Sequence, residues 1–307
     1  MSVNINDANR KEMTNLPNRA KLKKNRAMDI FVILLVALIV LICLLPLLNV
    51  LAMSLSAEIS VINRRVFFWP VQLDLTAYEN VFKDRSMVRS LGLTTVLTIV
   101  SAAFSMTLTT LCAYPLSQNN FVGRTFFNTL IIFTMYFNAG AIPDYLNIDR
   151  LNLLDNFWVM VLPIGISVFN MIIMKSFFQQ IPDSLRESAE LDGASHWTIL
   201  IRIYLPLSTS ALATLTLFYA VSRWNGFADA RIYLSSPSLY PIQYKLYQLI
   251  NGMSSMEASM EGIAVKKVAT ESMKSASIVF ATLPILLVYP WLQKYFVTGV
   301  TVGAVKG

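Results

Sequence analysis

The sequence predicts an all-α integral membrane protein with six transmembrane helices, and three observations predict it. Of 307 residues, 55% are hydrophobic and only 14% charged, whereas soluble domains carry about 25% charged residues. Mean hydropathy is +0.55, and apolar runs near or above the ~20 residues needed to cross a bilayer recur along the chain. Much of the formal net charge of +7 sits in an N-terminal arm, where Arg10, Lys11, Arg19, Lys21, Lys23, Lys24 and Arg26 precede the first apolar run. Beside a hydrophobic span, such an arm reads as a cytoplasmic anchor and not as a nucleic-acid binder.

The first span is expected at Ile30–Ala52. The apolar run from Met28 to Met53 exceeds the 7 to 15 residues of a signal-peptide core and has no convincing cleavage site, so it reads as a retained helix. A polar loop, Ser54–Met87, follows with Phe67, Phe68, Trp69 and Tyr78, aromatics that gather at headgroup level. The second span, Leu91–Tyr114, is rich in Thr, Ser and Ala, which let helices pack closely in lipid. After the short loop Ser117–Arg124 come a third span at Phe126–Ile142 and a fourth at Phe157–Phe177. Between them lies a linker bearing Asp144, Asp149, Arg150 and Asp155. The polar segment Gln179–Arg202 leads to a fifth span at Leu207–Phe227. A loop, Ala228–Ser272, then precedes the sixth at Ser275–Leu292.

With the basic arm inside, six crossings put both termini, the loop Ser117–Arg124 and the loop Gln179–Arg202 in the cytoplasm of a cell-membrane protein. No repeat or low-complexity segment appears. The expected organisation is an arm at 1–27, one membrane domain at 28–296 and a tail at 297–307. Cys43 and Cys112 lie in apolar runs without metal-ligand spacing, and His196 is the one histidine, which argues against metal or histidine chemistry. Span centres are nearly free of charge, with Arg223 toward the outer end of the fifth. A self-contained carrier or pump is expected to place ionisable groups there, so the driving energy comes from another chain.

The informative segment is 182–206. Ser184 and Glu187 form an S-x-x-E capping-box pattern after Pro182 and Asp183, which predicts a helix start. Gly193 permits the left-handed turn that stops that helix, and Ser195 is placed to cap a second. Ile199 and Ile203 give the second helix an apolar stripe, and Pro206 is expected to open the next span. The result is a helix, a glycine elbow and a second helix beneath the bilayer.

This segment resembles the EAA loop of ABC importer permeases. Glu187, Ser188 and Ala189 match its E-A-A, with Ser188 the one small-for-small departure, and Gly193, Ile203, Leu205 and Pro206 stand at the matching spacing. Asp192-Gly193-Ala194, the Trp224–Asn225 pair and the ending Phe296–Gly307 look like the carbohydrate-type permeases related to the smaller maltose permease subunit. Gly140–Pro143, Phe169-Asn170 and Tyr240–Gln243 are most similar to the branch that takes up complex oligosaccharides and polysaccharide fragments. The resemblance runs from about Phe31 onward.

The resemblance implies a type I ABC importer permease fold and a transport subunit, not an enzyme. It implies a heterodimer with a second, homologous permease, two ATPase subunits and an extracellular sugar-binding protein. No G-x-x-x-x-G-K-[ST] loop is present, so ATP and Mg belong to the ATPase and this chain needs no cofactor, metal or catalytic residue. Glu187, Ser188, Ala189, Asp192, Gly193, Ala194, Ile203, Leu205 and Pro206 are the expected ATPase-coupling residues. Polar and aromatic positions within spans are candidates for the sugar path: Tyr136, Asn138, Asn170, Tyr219, Ser222, Trp224 and Asn225. Each has a structural alternative, as a helix–helix bond or an interface anchor; for Trp224 and Asn225 it is a hinge. The loop Ala228–Ser272, with Lys245, Glu257, Glu261, Lys266 and Lys267, faces either the binding protein or solvent. An importer of the same architecture for amino acids or phosphate, and a self-contained secondary carrier, are the alternatives.

Overall fold

A computed structural model describes residues 26–137, 139–259, 271–288 and 290; of residues 26, 27 and 253–259 only the backbone is described. The arm before Arg26, the tail 297–307, Asn138, Glu261, Lys266 and Lys267 lie outside the described residues, as does the side chain of Glu257. Among the described residues the structure is helical and contains no strand, only an isolated antiparallel bridge between Ser56 and Leu73. The chain divides into two units between Asn49 and Val50.

Helix α1, Arg26–Ser54, supplies all the described residues of the first unit, which ends at Asn49. Its Ile, Leu and Val side chains from Ile30 to Leu44 are exposed around the helix. A helix apolar on every side suits lipid, because its backbone bonds are satisfied internally.

The second unit begins with two short helices, α2 (Glu58–Ile62) and α3 (Thr76–Lys83), which occupy parts of the predicted polar loop. Asp84 then accepts the Ser86 N–H at 2.8 Å and caps the 33-residue helix α4, Arg85–Ser117. Along α4, Ser90, Thr94, Leu97, Ser101, Ser105 and Thr109 recur every three or four residues and are buried. This narrow stripe lets later helices approach closely.

The third and fourth predicted spans are broken. Helix α5 (Arg124–Tyr136) and helix α6 (Ala141–Arg150) meet at 113°, with Gly140 at φ +97° between them. At 13 residues α5 reaches ~20 Å, short of a ~30 Å hydrocarbon core. The predicted fourth span is a 3₁₀ turn, Phe157–Met160, then an irregular stretch containing Pro163, then the 11-residue helix α7, Val168–Phe178. Proline removes a helical donor and ends the run. Helices α8 (Asp183–Leu191) and α9 (His196–Leu207, with a π-helical turn at Leu200–Tyr204) follow. Helix α10, Thr209–Asn225, then leaves α9 at 84°. Pro206 therefore does not open the span: it ends α9, and α10 starts beyond Ser208.

The predicted outer loop is also largely helical, with α11 (Ala228–Tyr233) and α12 (Ile242–Ser259) before α13, Glu271–Val288. Three described helices, α1, α4 and α13, are long and apolar enough to cross a membrane, and the two bent pairs bring the number to five. Helices α7 and α10 pack on α4. Buried residues gather in three clusters: around Tyr114, Phe178 and Tyr204; around Leu97, Met160 and Ala230; and around Val81, Met87 and Ile242.

Candidate functional site

The residues expected to couple form a tight elbow built from backbone hydrogen bonds. At the end of α8, the Gly193 N–H donates to Glu190 O at 3.0 Å and the Ala194 N–H to Ala189 O at 2.9 Å. These are the two bonds of a Schellman turn, and Gly193 at φ +79° supplies its left-handed residue. Ala189 and Ala194, joined by one of those bonds, are partly buried against the Tyr114 cluster. The motif thus wants small residues at those positions, while exposed Ser188 tolerates its departure. Asp192 is the C-cap. Ser195 caps α9 by accepting the Thr198 N–H at 3.3 Å, as its position predicts.

The capping box is not formed. Pro182 occupies the N-cap, which carries no side-chain bond, so α8 starts at Asp183 and Ser184 falls inside it. Glu187 turns instead toward Arg186, 3.7 Å from its guanidinium. Arg186 is the buried residue of α8, also paired with Glu190 at 2.9 Å and with Asp183 at 3.9 Å. Burial alone would lower the Arg186 pKa, but the bond from Glu190 and the nearby carboxylates outweigh it and hold the group above its ordinary value. Sequence reasoning passed over this residue, although Asp and Glu at i−3, i+1 and i+4 around one arginine were visible.

Below the elbow, Ile199, Leu200 and Tyr204 are buried with Tyr114 of α4, Met171, Met174 and Phe178 of α7, and Ala211 and Leu215 of α10. Ile203 and Leu205 pack at the edge of this cluster and Pro206 is exposed. Tyr114, Phe178 and Tyr204 contact one another edge to face, with centroids 5.0 to 6.3 Å apart. The elbow is therefore seated on three helices at once. Its other side exposes Leu185, Leu191, Trp197 and Ile201. Between the elbow and the end of α4 lies a cleft of about 1110 Å³ lined by Gln118, Phe121, Glu190, His196 and Trp197 among others. Asn119 accepts from Arg124 at 2.7 Å and donates to Asp183 at 3.4 Å, which ties the loop Ser117–Arg124 to α8.

The sugar-path candidates separate. Asn170, Tyr219 and Ser222 line one cavity of about 560 Å³ between α4, α7 and α10. Tyr219 is already committed there: its hydroxyl bonds Thr109 at 2.6 Å and accepts the Ser167 N–H at 3.0 Å. Tyr136 is exposed and elsewhere. Trp224 is buried and donates from Nε1 to Ala281 O at 3.3 Å, and Asn225 is exposed at the end of α10; neither lines the cavity. Sequence reasoning missed three features here. Ser101 and Ser105 of α4 join the cavity wall, as does Phe169, and Arg223 is buried, its guanidinium paired with Asp229 and donating to Met160 O and Gly226 O, each at 3.0 Å. A Cβ on Gly226 would lie 2.8 Å from that guanidinium, so glycine makes room for it. Nearby, the Asp155 carboxylate accepts from the Ser236 hydroxyl and from the Ser236 and Ser235 N–H groups at 2.8 and 3.0 Å. Those bonds hold its pKa below the ordinary carboxylate value.

With fold and elbow in place, the class of protein follows: a membrane permease subunit of a binding-protein-dependent transporter, not an enzyme. The chain belongs to the family described as "Binding-protein-dependent transport system inner membrane component", whose model matches residues 20–302. It is 40% identical over 285 residues to the polygalacturonan/rhamnogalacturonan transport system permease protein YtcP of Bacillus subtilis (strain 168), covering 92% of this chain and 100% of YtcP. It is 40% identical over 286 residues to protein LplC of the same organism, covering 93% of this chain and 97% of LplC. Among solved structures it resembles a chain of a bacterial ABC transporter involved in import of the acidic polysaccharide alginate. That match has a TM-score of 0.81 and 34% identity, covering 89% of this chain and 98% of that one.

Proposed function

We propose that this chain is one of two homologous permease subunits of an ABC importer that takes up oligosaccharide fragments of complex polysaccharides. An extracellular binding protein delivers the sugar, and two cytoplasmic ATPase subunits use ATP and Mg. Relatives named for polygalacturonan/rhamnogalacturonan transport and for alginate import support the substrate class. In this reading the chain crosses the membrane six times, through α1, α4, the bent pair α5–α6, the segment 157–178, α10 and α13. Both termini are cytoplasmic, with the arm 1–27 and the tail 297–307 flanking one membrane domain at 28–296. The proximity of the loop Ser117–Arg124 to α8 supports placing both on one side.

The observation that carries the coupling role is the elbow itself. It exposes four large apolar side chains outward and is seated inward on α4, α7 and α10. Exposed apolar side chains on a rigid short helix fit a cleft on a partner, and Glu187, paired with Arg186 at 3.7 Å but with its side chain 64% exposed, remains accessible to a basic residue there. Closure of the ATPase pair would drag the elbow and, through Tyr114, Phe178 and Tyr204, rock three helices together. That is rigid-body alternating access. The direct test is Glu187→Arg in the assembled importer: ATPase stimulation by sugar-loaded binding protein should fall at least ~10-fold, and unchanged stimulation would remove Glu187 from the interface.

A further inference from the structure

The cavity between α4, α7 and α10 is walled largely by polar side chains and aromatic rings. Ser105 and Arg223, 1% and 3% exposed, form part of its wall. Ser101, Ser167, Asn170 and Ser222 add hydroxyls and an amide to the same wall. Phe169, exposed, contributes an aromatic face. The volume, about 560 Å³, lies within the ~300–1,000 Å³ of small-ligand pockets.

The chemistry of the wall narrows the ligand. A lipid tail would leave every one of these polar groups unmet. A free anion would meet an arginine whose charge Asp229 already balances through two contacts. What the wall offers is a set of N–H and O–H donors without net charge beside an aromatic ring. Oxygen acceptors around a ring that also presents an apolar C–H face, as on a pyranose, match it.

Resting on the functional reading above, we propose that this cavity is a sugar subsite in this subunit. It takes one pyranose residue of the transported chain, with Asn170 and Ser222 as its polar partners and Phe169 as its stacking face. Sugar recognition is then shared by this permease and does not rest on the second permease alone. Tyr219 acts as a positioning residue, its hydroxyl tying the cavity wall to Thr109 and Ser167.

The test uses the complete importer in proteoliposomes with its binding protein, and a trigalacturonate and its neutral methyl ester as probes. In a background of Cys43→Ser and Cys112→Ala, Ser222→Cys gives an exposed cavity-wall thiol, and Val122→Cys, on the α4–α5 loop, gives a control thiol. Delivered sugar should slow maleimide labelling at position 222 at least ~5-fold and leave position 122 unchanged. Asn170→Ala should raise the half-saturating concentration for uptake about 10-fold, the equivalent of ~1.4 kcal/mol. Protection by both probes supports recognition through hydroxyls; protection by the acidic probe alone supports the subsite with its carboxylate as the acceptor. Wild-type uptake with no protection at position 222 overturns the subsite and leaves the importer reading standing. No wild-type uptake of either probe overturns the oligosaccharide reading and the subsite together.

Discussion

At the scale of single residues, Gly193 is the position where conformation alone decides. A Cβ there would meet nothing within 4 Å, yet the backbone sits at φ +79°. Substitution is thus opposed only by the left-handed backbone, about 1–2 kcal/mol for an L-residue and worst for a β-branched one. Gly193→Ala should retain part of wild-type uptake and Gly193→Val should lose it, and normal transport by the valine variant would separate the turn from coupling. Arg223 is the opposite case, decided by contacts. Removing one partner of a buried ion pair costs about 3–5 kcal/mol, so Arg223→Ala should lower the thermal midpoint in detergent sharply. Arg223→Lys should recover only part, because an ammonium does not reproduce the planar fork that serves Asp229 and two carbonyls. Asp155 sets a pH dependence. Its folded pKa lies below the ordinary value, so its bonds to Ser235 and Ser236 are fully present above about pH 4 and are lost as pH falls through the lower, folded pKa. Hydrogen exchange at the Ser235 and Ser236 amides should be slow at pH 7 once corrected for intrinsic rates, with protection falling below pH 4. In Asp155→Ala it should be fast at both.

At the scale of elements, what was legible in the sequence was local chemistry. A glycine elbow and a serine cap are decided by residues within four positions, so Gly193 and Ser195 were found. The capping box failed for an equally local reason: Pro182 takes the N-cap position, two residues before Ser184, and the helix has already begun at Asp183. The breaks in the third and fourth spans and the 84° bend just before the fifth were not legible, because hydropathy reports composition and not direction. Phe126–Ile142 is free of charged residues and mostly apolar, yet it contains Gly140 and a 113° bend. The cavity was half legible. Polar residues on α7 and α10 were noticed, but the Ser101 and Ser105 wall looked like packing, and nothing in sequence spacing pairs Arg223 with Asp229. The aromatic trio makes a prediction at this scale. Tyr204→Ala removes two edge-to-face contacts and a fully buried ring, a truncation of the kind that costs about 3–5 kcal/mol for a buried aromatic. It should leave α8 able to dock while cutting sugar uptake per ATP hydrolysed. Tyr204→Phe should be nearly silent, and equal coupling ratios in wild type and Tyr204→Ala would contradict transmission through the trio.

At the scale of the whole molecule, the arrangement is one-sided and calls for company. The elbow presents apolar side chains outward, and the chain contains no phosphate-binding loop of its own. Its family names a component of a larger system. The central claim, that this chain is a coupled half of an oligosaccharide importer, is tested most directly by affinity purification of the tagged chain from its own membranes in nanodiscs, with mass spectrometry of what accompanies it. The account predicts a second permease of similar length and an ATPase at two copies per complex, with the ATPase lost in Gly193→Val. A chain that purifies alone and carries sugar alone in proteoliposomes would contradict it and identify a self-contained carrier.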